Sequence, residues 1–327
     1  MTIEVAETRD ATLRLPDPQR DGYHQSWYPI AMSREVAAGE VIAKEFLDGR
    51  VVVWRGQDGV AHVHSAFCRH LGADLSLGSV EDNRLRCVFH LWEYGGDGRC
   101  TKIPVGDQKP PPQAALFNFP TREQFGLIWA FNGETPLFDL PEFPTVPTDQ
   151  IVHRVFDIEL LPVPPYVILA NTHDFQHVAA VHGATMASEP TEFDNQEFTV
   201  EFKNEVEDPT LGRSKQHFKL FGLNTLALAN QFGPVTLLSM FSCTPVNNGM
   251  TKGYTVTGTP RVEGMDPEKI LDRGEHFARE IMEDDNAVLK TIRFKPDIPI
   301  VADRALMRWL RRAASFPAAH PSKPFIT

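Results

Sequence analysis

Two short loops, each carrying one cysteine and one histidine, constrain this chain more than any other stretch. The first reads Phe67-Cys68-Arg69-His70-Leu71-Gly72 and the second Cys87-Val88-Phe89-His90-Leu91-Trp92, with sixteen residues between His70 and Cys87. Two thiolates and two imidazoles at this spacing are the donor set of a metal site. Four cysteines in 327 residues are too few for a disulfide scaffold, which favours metal chemistry in a reducing compartment. Cys100 and Cys243 have no histidine neighbours and are expected to be buried small apolar side chains.

The chain is long enough for two domains with separate cores. Its 42% hydrophobic and 23% charged residues are those of a globular protein, and no apolar run approaches the roughly 18 residues of a membrane helix. The first residues lack the basic and apolar regions of a signal peptide, so the expected compartment is cytoplasmic. A net charge of −11 argues against nucleic acid or an anionic membrane as the main partner.

Residues 1–24, with Pro16 and Pro18, read as an arm able to wrap a neighbouring subunit. Residues 25–135 read as an all-β domain: Val41–Phe46, Val51–Arg55 and Val60–His64 are short antiparallel strands with a turn at Gly56-Gln57-Asp58-Gly59, and Phe125–Phe131 is a buried strand. Prolines 136, 141, 144 and 147 make 136–148 a linker. Residues 149–327 read as α+β. A strand at Val152–Leu160 precedes a helical run from Tyr166 to Val181. Further strands are expected near Glu197–Val206, His217–Phe221, Thr225–Phe232, Val235–Ser242 and Gly253–Thr257. Asp266-Pro267-Glu268 then opens a helix that can run to about Phe294.

Cys-x-His, sixteen residues, Cys-x-x-His suits either a structural zinc or an iron–sulfur cluster of mixed ligation. Each loop gives one sulfur and one imidazole, so each can place its cysteine on one iron and its histidine on the other, as in a Rieske [2Fe–2S] centre. His62 and His64, one strand earlier, are expected to be solvated or hydrogen-bonded structural residues.

A second cluster follows in Asn171-Thr172-His173-Asp174-Phe175-Gln176-His177 and His182. Two histidines and one carboxylate on one face hold a mononuclear non-haem iron. His177 and His182 are the candidate imidazoles, but five residues on a straight helix turn the second about 140° from the first. A π-bulge, kink or helix end is therefore expected between them, with Gly183 allowing the chain to turn. The carboxylate must come from Glu283, Asp284 or Asp285. The apolar stripe of the C-terminal helix runs through Phe277, Ala278, Ile281, Val288, Leu289 and Ile292. Relative to Ile281, Asp285 falls at about 40°, inside the stripe, Asp284 near −60°, just past its edge, and Glu283 near 200°. A carboxylate in an apolar face is costly unless paired or metal-bound, which selects Asp285, with Asp284 as the alternative.

Gly72, Leu75, Leu77 and Gly78 after His70, Trp92, Tyr94, Gly95 and Gly98 after His90, and the pattern Asn-x-x-Asp-x-x-His-x-x-x-x-His resemble the α subunits of Rieske non-haem iron oxygenases, over about Trp27 to the C-terminus. Leu91 departs from that pattern, which more often has glycine there. The resemblance implies a Rieske domain holding its cluster by Cys68, His70, Cys87 and His90, and a helix-grip-like catalytic domain holding Fe(II) by His177, His182 and Asp285. It also implies a head-to-tail homotrimer in which Asp174 bridges His177 to His70 or His90 of a neighbour, with Asn171 completing the motif. His173 has no counterpart there and is expected to be structural or at the surface.

The run Trp92–Cys100 and the short chain look most like the compact monooxygenase branch of steroid ring hydroxylases and O-demethylases. Phe294–Asp297 and Met307–Arg311 are similar, more weakly, to its steroid-hydroxylase end. The expected activity is hydroxylation or oxidative demethylation of a hydrophobic ring-containing substrate, possibly steroid-like, with O2. Electrons would come from NAD(P)H through a separate reductase or ferredoxin. Strands Thr225–Phe232 and Val235–Ser242 would line the substrate pocket. Arg69, Arg84, Arg86, Arg99 and Lys102 suggest a basic patch for an acidic ferredoxin. The alternatives are a cis-diol-forming dioxygenase and a non-catalytic Rieske carrier joined to a ligand-binding domain.

Overall fold

The structure is a computed structural model that describes residues 13–106, 108–186, 193–208 and 212–327. In the first half, the β-branched run Val51-Val52-Val53 lies in a strand, Gly49–Arg55, at the middle of an antiparallel sheet. That sheet runs Asn118–Phe119, Ala61–Ser65, Gly49–Arg55, Val41–Phe46. Trp27–Met32, Leu127–Phe131 and Thr121–Gln124 form a second sheet. The two share a core of Tyr28, Ile30, Phe46, Val51, Val53, Phe119 and Ile128. A small meander of Ser79–Glu81, Arg84–Arg86, Glu93–Tyr94 and Cys100–Lys102 adjoins them, and the second Cys-His loop falls between two of its strands.

The proline-rich stretch carries neither helix nor strand from 133 to 147. It is nevertheless packed: Phe143 is buried, and Phe138, Leu140 and Val146 lie against Trp129, Phe131 and Met240. It therefore acts as a strap across the molecule.

In the second half, β1 (Ile151–Leu161), β2 (Thr199–Asp208), β3 (Gly212–Phe221), β4 (Thr225–Phe232), β5 (Val235–Pro245) and β6 (Thr251–Pro260) form an antiparallel sheet ordered β1-β6-β5-β4-β3-β2. Several strands outrun their sequence bounds because their ends carry polar residues that water and turns accommodate as readily as loops would. Across the sheet lies α2 (Pro267–Leu289), opened by the Asp266 side chain accepting from Glu268 N–H at 3.1 Å. Gly274 lets it sit close, since a Cβ there would stand 2.4 Å from Leu237. The helix stops at Leu289, before Phe294: the N–H groups of Thr291 and Ile292 turn back onto Val288 O, and Pro296 bars a longer run.

The run from Tyr166 to Val181 is broken rather than continuous. A turn at Pro165–Ile168 and a 3-10 stretch at Leu169–His173 precede α1 (Phe175–His182). Thr172 Oγ1 donates to Leu169 O at 2.7 Å, and Asp174, at φ −100°, N-caps α1. A further helix, α3 (Arg304–Ser315), buries Trp309 and Leu310.

The ends of the described chain meet. Tyr23–His24, in the stretch read as an arm, pairs antiparallel with Ala318–Ala319, and Leu13 and Leu15 pack on the second-half core. Beyond Ala319 the chain crosses onto the first sheet, where Ile326 is buried. Residues 1–12 of the arm lie outside the described residues. Among the described residues no helix is long and apolar enough to cross a membrane.

Candidate metal centres

The two Cys-His loops are built alike by their main-chain bonds. Cys68 N–H donates to Ala73 O at 2.9 Å and Gly72 N–H returns to Cys68 O at 2.9 Å; Cys87 N–H donates to Trp92 O at 2.9 Å and Leu91 N–H returns to Cys87 O at 3.1 Å. The residue four beyond each cysteine is left-handed: Gly72 at φ +77° and Leu91 at φ +57°. That backbone is the physical reason a glycine suits position 91.

Each loop turns its cysteine inward and its histidine outward. Cys68 and Cys87 are buried, His70 is exposed and His90 half-buried. The two imidazoles lie 4.6 Å apart, centroid to centroid, and Trp92 stacks on His70 at 4.6 Å and 6°. Burial pushes the Cys68 thiol up, and the neighbouring Cys87 sulfur adds to this; the Tyr94 hydroxyl, 3.1 Å from Cys68 Sγ, opposes it. Tyr94 Oη also accepts from Arg69 N–H at 3.1 Å. Paired sulfurs inside and paired imidazoles outside fit a two-iron cluster with one iron of each ligation.

His64 is fully buried. Its Nδ1 accepts from Trp54 Nε1–H at 3.1 Å, so its Nε2–H donates to Gly96 O and Asn118 Oδ1, each at 3.2 Å. His62 stacks on Trp54 at 4.5 Å. Both hold the sheet beneath the loops.

The five basic residues do not make a free patch. Arg84, Arg86 and Lys102 converge on the buried carboxylate of Glu93 at 2.8, 2.8 and 3.1 Å, and Arg99 faces Asp97. The Arg69 guanidinium lies over Phe325. What surrounds His70 and His90 instead is apolar and exposed: Leu71, Leu77, Val88, Phe89 and Leu91.

At the second site α1 presents His177 in its middle and His182 as its last residue, where Gly183 leaves the helix at φ +63°. Of the expected devices, the helix end is the one present. The rings stand 4.9 Å apart, nearly perpendicular. Asp285 of α2 sets one oxygen 2.9 Å from His177 Nε2 and 3.1 Å from His182 Nε2. That oxygen is buried and has no hydrogen bond of acceptable geometry. Burial pushes the Asp285 carboxyl up, and the two imidazoles more than offset it, holding the pKa at about 2. Asp284 is more exposed and only 3.9 Å from His182 Nδ1. Ligand atoms of His177, His182 and Asp285 all fall within 4.8 Å of one another. Two imidazole nitrogens and a carboxylate oxygen gathered on one point fit a metal ion.

Asp174 Oδ1 accepts from the main-chain N–H of His177 at 3.1 Å. Beside it, Asn171, Asp174, His177, Val288, Ile292 and Leu306 line a notch of about 140 Å³. His173 is buried, stacked on Trp309 at 4.7 Å, with Nδ1 2.8 Å from Thr172 Oγ1, so the surface half of its expected role falls away.

Strands β4 and β5 divide their side chains by register. Ala227, Ala229, Leu238 and Met240 face the core beside Trp129. Phe241 pairs with Leu226 and with Thr255, whose hydroxyl reaches Met282 of α2 at 3.5 Å. Leu226, Leu228, Asn230, Ser239 and Phe241 therefore share the face toward α2. Leu226, Leu228, Ser239 and Phe241 are only half-buried there, so helix and sheet do not close on them. Asn230 is buried, 3% exposed, and its Oδ1 has no hydrogen-bond partner among the described residues.

Tyr94, Glu93, Asn230 and the Trp309–His173 stack escape sequence reasoning as to role. Tyr94 carried a signal, an aromatic six residues short of Cys100 in a glycine-rich turn; the others depend on which distant strands meet.

An N-terminal pair of Cys-His loops on small antiparallel sheets, followed by a helix-covered sheet with two histidines and one carboxylate, defines the class of two-site Rieske-type iron proteins. Residues 26–120 match the Rieske [2Fe-2S] domain family and residues 128–269 the 3-ketosteroid 9alpha-hydroxylase C-terminal domain family. The chain is 28% identical over 229 residues to the oxygenase component of 3-ketosteroid-9-alpha-monooxygenase from Rhodococcus rhodochrous, covering 68% of this chain and 56% of that protein. It is 30% identical over 163 residues to chlorophyllide a oxygenase of Arabidopsis thaliana, covering 49% and 29%. The chain thus spans about half or less of the length of these curated relatives. The fold is that of NdmA of Pseudomonas putida CBB5 with caffeine (TM-score 0.71, 19% identity, 90% of this chain and 96% of that one) and of dicamba monooxygenase bound to dicamba (TM-score 0.71, 18% identity, 89% and 96%). The chain belongs to the Rieske non-haem iron oxygenases, as an α subunit of that family.

Proposed function

We propose that this chain is the terminal oxygenase of a multicomponent Rieske system that uses O2 to hydroxylate, or oxidatively demethylate, a hydrophobic ring-containing substrate. The observation that carries the reading is the convergence of two imidazole nitrogens and one Asp285 oxygen in a chain that also holds a paired Cys-His set. We assign Cys68, His70, Cys87 and His90 to a [2Fe–2S] cluster and His177, His182 and Asp285 to Fe(II). When bound, these groups supply single electrons and the activation of O2.

The chain's own residues supply the rest. The imidazoles offer Nε2 lone pairs, and the carboxylate of Asp285 gives the set one negative charge. Leu226, Leu228 and Phe241 offer a flat apolar surface on which rings lie out of water, while Asn230 and Ser239 offer polar contacts that orient them. The steroid named for the Rhodococcus relative, and the ring compounds bound to the solved neighbours, support a substrate of this kind.

Electrons must reach the chain from outside, from NAD(P)H through a reductase or ferredoxin. The apolar collar of Leu71, Leu77, Val88, Phe89 and Leu91 around the outward histidines supports docking by close apolar contact. It equally supports a head-to-tail homotrimer in which the notch at Asp174 receives His70 or His90 of the next chain. Iron content tests the reading. Three irons per chain are expected, falling to two in His177→Ala with the Rieske absorption spectrum unchanged; two irons in the unaltered protein would make it an electron carrier.

A further inference from the structure

The C-terminal segment ends on the first metal-binding loop. After α3 the chain pairs Ala318–Ala319 with Tyr23–His24, and Asn132 Nδ2 fixes that junction by donating to Ala319 O at 3.0 Å. His320 Nε2 lies 2.9 Å from Leu47 O. Ser322 is buried, and its carbonyl accepts from Phe325 N–H at 2.8 Å and Ile326 N–H at 3.2 Å, which folds the last turn tightly. Ile326 occupies the niche over Gly49, where a Cβ would stand 2.4 Å from its Cγ1. A segment pinned at four places cannot slide, so the position of Phe325 is set by the fold.

Phe325 puts one aromatic contact on Phe117, at 5.6 Å between centroids, and its face under the guanidinium of Arg69, whose Cζ is 5.0 Å from the ring centroid. Arg69 stands between Cys68 and His70. Its main-chain N–H is already tied to Tyr94 Oη, which also contacts the Cys68 sulfur. The turn is thus gripped on its inner side by Tyr94, and on its outer side by the stack of His70 on Trp92 and by the Arg69 side chain. A cation over a ring face prefers a narrow range of positions, unlike a charge in water.

We propose that Phe325 is a positioning residue for the first metal-binding loop, holding the Cys68–His70 turn from outside through the Arg69 guanidinium. The inference rests on reading Cys68, His70, Cys87 and His90 as cluster ligands. It gives the final residues of the catalytic half a direct hold on the electron-receiving site of the same chain.

The test uses the full-length, cluster-loaded protein and the variants Phe325→Leu and Phe325→Tyr. Leucine keeps apolar bulk over Phe117 but has no ring face; tyrosine restores the face. In Phe325→Leu the reduced cluster should show displaced EPR g-values and an altered midpoint potential, and should release iron to a chelator about fivefold faster, the factor a partly exposed cation–π contact carries. Phe325→Tyr should return all three readouts to those of the unaltered protein. Arg69→Met, which keeps the unbranched stem and loses the cation, should repeat the leucine result and serves if Phe325→Leu does not fold. Unchanged g-values, potential and release rate in a folded Phe325→Leu protein would overturn the inference alone. An unaltered protein without a Rieske EPR signature would overturn the functional reading, and this inference with it.

Discussion

Leu91 holds a left-handed backbone in one metal loop where Gly72 holds it in the other. An L side chain in that region costs about 1–2 kcal/mol, against roughly 0.5–1 kcal/mol that a glycine gives up through its freer unfolded chain. The side chain is about half exposed, so little packing is lost with it. Leu91→Gly should therefore raise the melting temperature of the loaded protein slightly, and a fall would mean that the collar around His90 needs this leucine. The sequence marked this position only through the family resemblance, as a departure from the usual glycine; the left-handed backbone gives the physical reason. Asp285 was legible from periodicity: a carboxylate about 40° from Ile281, inside an apolar stripe, must be paired or bound to metal. Glu93 was not legible. Its burial is tolerated because Arg84 and Arg86 from one strand and Lys102 from another reach it, and strand pairing is not a property of any local pattern. The same convergence pairs three of the five cations that had suggested a basic docking patch.

At the level of elements, the sequence called for a device that brings residues five apart onto one point, and the fold meets it by ending α1 at His182. The long helix expected before it fails because Thr172 and Asp174 bond to nearby main chain, offering the backbone a turn and a fresh cap in place of another helical turn. Asp174 thus has two separable tasks. As N-cap it supports the helix that carries both imidazoles, a contribution of about 1 kcal/mol; as a charged acceptor beside the notch it is proposed to bridge subunits. Asp174→Asn keeps a good cap and loses the charge, whereas Asp174→Ala loses both. Thermal melts should find the asparagine variant close to the unaltered protein and the alanine variant lower. Turnover should collapse in both with iron content unchanged, and normal turnover in Asp174→Asn would sink the bridging role.

Across the whole molecule, three imidazoles outside the two metal-ligand sets lie in desolvated surroundings: His24, His64 and His173. Burial lowers their pKa values to about 4, 4 and 3, below the ordinary 6.5. The folded protein therefore binds fewer protons than the unfolded chain below pH 6.5. The stability these neutral histidines allow is complete above that pH and is lost as pH falls toward 4. Near pH 5 the unfolding equilibrium should take up about three protons, seen as a steep loss of melting temperature between pH 6.5 and 5. A flat profile there would show that these rings are not held neutral. The histidine-rich composition was visible in the sequence, but which rings would be sealed under a tryptophan or behind α3 was not, since that depends on how the two halves meet.

The closing of residues 318–326 over Tyr23–His24 and Gly49 has a consequence for the order of events during synthesis. The core of the first domain includes Ile326, a side chain made some 277 residues after Gly49. At about 5–20 residues per second, the ribosome reaches it on the order of 15–55 seconds later. The nascent Rieske half must wait that long, incomplete, for this side chain, so its cluster can enter a fully closed fold only after the second half has been made.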